Sequence, residues 1–217
     1  DRANIEAGLY PDPVGYDLRL QNLPKTLRRT RAFLRDVAEV DARRLRRDGT
    51  EVRQSEAADP KRFPAYYRQN FHYQTDGWLS EESAQIYDHQ VEALFTGAAD
   101  ATRRASLAEI ARELRGRDQR AVRLLDVACG TGRFLVQTLS AFPKLRAIGL
   151  DLSPPYIDTA RRKLARWPQA EAIEGEAEAL PFADATFDIV NSIYLFHELP
   201  PRIRPQVIVE AARVLKP

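Results

Sequence analysis

Residues 123–134 read Arg-Leu-Leu-Asp-Val-Ala-Cys-Gly-Thr-Gly-Arg-Phe, and the fold is decided there. Val122, Leu124, Leu125 and Val127 form an apolar run that carries an acid, Asp126, near its end. Such a run reads as a strand buried on both faces of a parallel sheet. A turn of small residues follows, Ala128 to Gly132, and then Phe134, Leu135, Val136 and Leu139 recur at helical spacing. Strand, glycine turn and helix make the first half of a nucleotide-binding βαβ unit. Its glycines let the backbone approach a ligand, and its helix N-terminus offers N–H groups to an anion.

The type of turn narrows the ligand. A nicotinamide or flavin fingerprint would need a third glycine at 135, where the chain has Leu135. A P-loop would need Gly-Lys-Ser/Thr, which is absent. What remains, Asp126-Val127-Ala128-Cys129-Gly130-Thr131-Gly132, resembles the first motif of the class I S-adenosylmethionine-dependent methyltransferases. Ala128 stands where that motif most often has its first glycine. Alanine costs little there as long as its φ is negative.

Composition sets the outer bounds. A length of 217 residues suits one domain with an appendage, and 44% hydrophobic content is that of a globular protein. With 33 basic and 31 acidic residues, net charge makes no demand for nucleic acid. A single cysteine, Cys129, excludes a disulfide framework and any multi-cysteine metal site, and reads as a small filler. No signal peptide or long apolar run is present, so a cytoplasmic protein is the expectation. The absence of methionine, even at position 1, suggests an excerpt of a longer chain.

Three segments are expected: an arm and basic amphipathic helix over 1–60, a helical lid over 61–118, and a Rossmann-like core over 119–217. Gly8, Pro11, Pro13 and Gly15 give residues 1–22 the look of an extended arm with turns. A helix follows from Pro24 to about Arg47, with Leu27, Leu34, Val37, Val40 and Leu45 apolar and arginines spread around it as a solvated face. Asp48-Gly49-Thr50 ends it. Tyr66, Tyr67, Phe71, Tyr73 and Trp78 form an aromatic stretch that reads as structural packing. Ser80 is a predicted N-cap for a helix stopping at Gly97, and another helix ends at Gly116. In the core, strands are predicted at 146–150, 170–173 and 187–190, with helices after Ser153 and over 202–215. That alternation predicts a doubly wound parallel sheet.

Chemistry collects at the strand ends. Asp151, one βα unit after Asp126, can accept both hydrogen bonds of a ribose diol. Glu176 can accept an adenine amino proton, the Ala177 N–H can serve a ring nitrogen, and Leu180-Pro181-Phe182 can wall the base. His197, beyond the fourth strand, is the candidate general base, with Glu198 to orient it.

Gly-Glu-Ala-Glu-Ala-Leu-Pro-Phe from Gly175, Phe187-Asp188-Ile189-Val190-Asn191-Ser192 and Ala212-Arg213-Val214-Leu215-Lys216-Pro217 extend the resemblance over about 120–217. The branch most resembled methylates small molecules and includes the quinone-biosynthesis C-methyltransferases. It implies S-adenosylmethionine as cofactor and a small-molecule methyl acceptor. The matching positions implied to hold the cofactor are Tyr87, Asp126, Ala128, Gly130, Thr131, Gly132, Asp151, Leu152, Glu176, Ala177 and Asn191. A non-catalytic binding or assembly protein on the same fold is the alternative. The family's sheet normally has seven strands and only four are read here. The expectation is therefore a portion of a longer protein, or a sheet completed by another chain such as a second copy in a homodimer.

Overall fold

The computed structural model describes residues 1–12, 23–46, 58–68 and 77–217. Its centre is the strand expected there, β1 (Arg123–Val127), with Leu124, Leu125, Asp126 and Val127 all buried. On one side lies β2 (Arg146–Asp151), in parallel register from Arg123 opposite Arg146 to Val127 opposite Leu150. β3 (Ala170–Glu174) continues beyond β2, and β4 (Ile189–Asn191) pairs with the other side of β1. The order is β3-β2-β1-β4, parallel throughout. Strand order therefore reverses between β1 and β4, and parallel sheets bind ligands at the carboxyl ends beside such a reversal.

The helix after the glycine turn is Arg133–Ala141, and Ser153 caps the one after β2, Pro154–Leu164. Prolines 154 and 155 sit at its first positions, where a missing N–H costs nothing. Leu135, Leu139, Leu145, Ile157 and Leu164 are buried with Leu124 and Ala147 in one cluster. Each such side chain contributes about 1.5–3 kcal/mol through burial. Leu107 and Ile110, from the helix Ala99–Glu113, join them.

The fourth strand starts later than 187. Asp188 is the cause: its carboxylate, not a backbone carbonyl, accepts the Arg123 N–H at 3.0 Å. Arg117 and Lys216 bind the same carboxylate at 2.8 and 3.0 Å. Burial alone would raise its pKa, but those donors outweigh burial and hold it below the usual carboxylate range. Just before β4, Phe187 bridges Leu215 in parallel sense. Among the described residues, Ile189–Asn191 pair only with β1.

The chain divides into two compact units, 1–12 with 97–217, and 13–96. In the first, residues 1–12 are not an extended arm. Arg2–Glu6 is a short helix, here α1; Asp1 pairs with Arg104 at 2.7 Å, and Tyr10 is buried in the core cluster. Buried aromatic area and a part-buried ion pair hold this segment, signals that its prolines and glycines masked.

In the second unit, α2 (Leu23–Arg46) and α3 (Glu81–Leu94) pack together. Ser80 caps α3, its Oγ accepting from Ser83 N at 3.1 Å. Of the apolar positions expected on α2, Val40 is buried while Leu27, Leu34 and Leu45 are exposed. Tyr67 stacks between Phe63 and Trp78, with ring centroids 5.5 and 5.2 Å apart, which is the packing role expected of this stretch. Phe71, Tyr73 and the helix end at Asp48-Gly49-Thr50 lie outside the described residues. The remaining helices, in chain order, are α4 (Ala99–Glu113), α5 (Arg133–Ala141), α6 (Pro154–Leu164) and α7 (Arg204–Val214).

Candidate functional site

Between β1 and α5 the chain turns through three left-handed residues, Ala128, Gly130 and Gly132, at φ 60°, 56° and 73°. The condition on Ala128 therefore fails: its φ is positive, which costs an L-residue about 1–2 kcal/mol. Ala128→Gly should raise stability by about 0.5–1 kcal/mol, since part of the relieved strain returns as entropy of the unfolded chain. Urea midpoints measure this, and a midpoint that falls would show that the methyl group is needed for packing.

The rest of the turn is tightly set. A Cβ on Gly132 would lie 3.1 Å from the Ala160 Cβ, so the glycine lets α5 and α6 meet. The Cys129 sulfur fills the space over Gly149, where an added Cβ would approach it to 2.7 Å. Burial pushes the Cys129 thiol well above its ordinary pKa, which suits a filler and not a redox group. Thr131 is buried, and its hydroxyl accepts from Lys163 Nζ at 2.8 Å. Gly132 N-caps α5 without a side-chain cap, so the first N–H groups of that helix are not claimed by the capping residue.

Asp151 ties the turn to β2. One carboxylate oxygen accepts from Gly130 N at 2.8 Å and the other from Ser153 N at 2.9 Å. Burial raises its pKa, opposed by those N–H groups and that of Leu152. Asp126 is 2% exposed and accepts from Asn191 Nδ2 at 2.7 Å. Burial pushes it up to about 7; the Asn191 hydrogen bond and Arg103 pull down, and Asp151 pushes further up. Two acids, Asp126 buried and Asp151 half-buried, thus stand at the carboxyl ends of adjacent strands.

The segment after β3 runs beside Asp151, with Gly175 N donating to Asp151 O at 3.0 Å. Glu176 is exposed and its carboxylate has no partner among the described residues, whereas Ala177 is buried. Leu180 is buried, and Phe182 meets Phe187 edge-on at 4.8 Å, leaving Pro181 as the exposed member of the expected wall. The helix α7 holds this segment. Arg213 donates to the Leu180 and Phe182 carbonyls at 3.0 and 2.8 Å, and Glu210 accepts from Leu180 N at 2.8 Å.

Beyond β4, Ser192 Oγ donates to Val127 O at 3.0 Å. Tyr194 then takes φ 63°, an uncommon conformation for a bulky residue. Its ring lies edge-on to His197 at 6.4 Å, and His197 Nε2 is 2.9 Å from Glu198 Oε1. The imidazole is 55% exposed, open to an incoming group.

The sequence reading missed a cluster on α4. Asp100 is buried and binds Arg133 through both carboxylate oxygens and Arg103 Nη1 at 3.0 Å. The guanidinium of Arg103 lies 5.3 Å from the centre of the Tyr194 ring. The Asp100/Arg103 spacing, three apart on a helix, was the available signal.

The structure therefore brings together Asp126, Ala128, Gly130, Thr131, Gly132, Asp151, Leu152 and Asn191 at the carboxyl ends of β1, β2 and β4. Glu176 and Ala177 follow β3 directly. Tyr87 stands half-buried on α3, in the other unit. Acceptor carboxylates, positive-φ glycines and uncapped N–H groups suit a ligand with a diol and a flat heterocycle, approached by backbone. No group of three or more metal-ligating side chains occurs among the described residues.

Residues 124–217 match a family model described as a methyltransferase domain. A demethylmenaquinone methyltransferase from Chlorobaculum tepidum is 34% identical over 142 residues, covering 64% of this chain and 54% of that protein. A malonyl-[acyl-carrier protein] O-methyltransferase from Xylella fastidiosa is 38% identical over 69 residues, 32% of this chain and 23% of its own length. A Methanococcus maripaludis structure, assigned to the S-adenosylmethionine-dependent methyltransferases, aligns with TM-score 0.50 at 14% identity. It covers 68% of this chain and 64% of that one, a likeness of fold. The chain spans about half the length, or less, of the curated relatives it matches.

Proposed function

We propose, from the premise that residues 124–217 are a class I S-adenosylmethionine-dependent methyltransferase domain, that the chain moves a methyl group to a small-molecule acceptor. Asp151 carries the reading: both its oxygens are aimed by backbone N–H groups, leaving its outer lone pairs for a ribose diol. Glu176 and the Ala177 N–H read adenine, while Gly130, Thr131 and Gly132 lie along the methionyl part. Leu152 and Asn191 flank these groups. Bound, the cofactor supplies an activated methyl on a sulfonium leaving group.

The protein's task is then alignment and exclusion of water. His197, oriented by Glu198, takes the proton of an acceptor that must lose one, a step worth roughly 10²–10⁴-fold in rate. Demethylmenaquinone, which names one relative, is the first acceptor to assay. The reading sets the reaction in the cytoplasm and leaves nucleic acid out of it. No helix among the described residues is long and apolar enough to cross a membrane.

Calorimetry with S-adenosylmethionine, followed by mass spectrometry of acceptors after incubation, tests the proposal. Binding followed by methylated product is expected. Binding without turnover on any acceptor would favour a non-catalytic role, and no binding would end the reading.

A further inference from the structure

Three leucines on α2 stand in water. Leu27, Leu34 and Leu45 are 50%, 59% and 87% exposed, and they follow one another at helical repeats that share a face. At about 100° per residue they fall within about 20° of a single line along the helix. The packed side of α2 is a different one: Val40 is buried there, and the Thr30 hydroxyl meets His89 Nε2 of α3 at 3.1 Å. Arg28 and Arg31, both exposed, border the leucine line on the side away from Thr30 and Val40. Over its 24 residues α2 carries eight basic and three acidic residues, and of the acids only Asp41 lies close to the line. Arg35 pairs with Glu82, so α3 runs antiparallel to α2. The end of α3, where Leu94 and Phe95 are each 44% exposed, therefore comes alongside the start of α2.

Exposed apolar side chains beside basic ones fit a partner that is itself both apolar and anionic. Nucleic acid would engage the arginines through its phosphates and leave the leucines in water. A partner helix would need a denser seam, with apolar residues every three or four positions, and Arg31 and Asp41 interrupt this one. A fluid surface needs no matching holes. An anionic bilayer offers acyl chains to the leucines at the headgroup boundary, and lipid phosphates to Arg28 and Arg31 on the flank of the same face. Arginine stems are long enough to lie along the apolar boundary while their heads stay among the phosphates. A highly charged helix of this kind lies in the interface. No helix among the described residues is long and apolar enough to cross a membrane, which agrees with a surface position for α2.

We infer that α2 docks the protein on an anionic lipid bilayer, lying in the headgroup region with Leu27, Leu34 and Leu45 inserted. The inference is independent of the methyl-transfer reading, since it uses α2 and α3 alone. Flotation of the full chain with phosphatidylcholine vesicles, with and without phosphatidylglycerol, tests it. Wild type should float with the mixed vesicles, bind the neutral ones far more weakly, and release from the mixed ones as salt is added. Replacing Leu27, Leu34 and Leu45 together by glutamine should weaken binding by at least about 10-fold. These side chains are exposed, so the urea midpoint of that variant should stay near the wild-type value. Leu45→Gln alone, at the most exposed of the three, should lose about threefold and keeps the test open if the triple variant folds poorly. Arg28→Gln and Arg31→Gln should each lose about fivefold and flatten the salt dependence. Equal binding to neutral vesicles, or leucine variants that float as well as wild type, would overturn the inference. So would the absence of flotation, whether the chain instead bound duplex DNA regardless of the leucines or formed a dimer that the leucine variant dissociates.

Discussion

Asp151→Ala is expected to weaken S-adenosylhomocysteine binding by about 100-fold or more, because the carboxylate has two tasks. In the proposed reading it faces the ribose, where a charge-assisted hydrogen bond contributes about 1.5–3 kcal/mol. It also accepts from Gly130 N and Ser153 N, so its removal orphans two donors and loosens the turn that carries Gly130 and Gly132. The two effects separate in a double-mutant cycle. Wild type and variant are titrated with the adenosyl ligand and with its analogue lacking the ribose hydroxyls. Coupling of at least about 1.5 kcal/mol between the hydroxyls and Asp151 is expected. Losses that simply add would leave Asp151 a support for the turn, and unchanged affinity would remove it from the site.

Legibility in the sequence differs between the two halves of the chain. In 119–217 nearly every element was legible, because a parallel sheet writes its pattern locally: an apolar run, an acid, small residues, a helix. Its candidate ligand groups stand at strand ends, so order alone was enough to propose them. What escaped there depended on contacts between distant residues. Asp188 meets Arg117, Arg123 and Lys216 from three parts of the chain and shortens β4, and no periodicity shows that. The positive φ of Ala128 is imposed by the geometry of the turn, against the preference of its residue type. Arg103 escaped because α4 is rich in charge, and only burial distinguishes that arginine from Arg112. The N-terminal segment misled for the opposite reason. Its turn formers were conspicuous, while Tyr10 and the Asp1–Arg104 pair that anchor it reach across the chain.

Asp126→Asn is expected to stabilise the ligand-free protein above neutral pH and to flatten its dependence on pH. Burial raises the carboxyl from 3.8 to about 7, so between those values the folded state holds a proton that the unfolded state has released. Stability from this group is complete below about pH 4 and is lost as pH rises through about 7, the reverse of a salt-bridged acid. A carboxyl raised that far sets a ceiling of about 4 kcal/mol on the loss of stability between about pH 4 and about pH 8. Asparagine keeps an oxygen to accept from Asn191 Nδ2 and carries no charge to desolvate. Urea midpoints of both proteins at pH 5 and pH 8, without ligand, measure the effect. A pH difference that survives in the variant would assign it to another group. Ligand affinity should move the other way, because the carboxylate that strains the empty protein faces the part of the site where the proposed cofactor carries its ammonium and sulfonium. A site acid that costs stability and is repaid only on binding a cation reconciles these opposite signs, whereas a purely structural acid would lower both stability and affinity when neutralised.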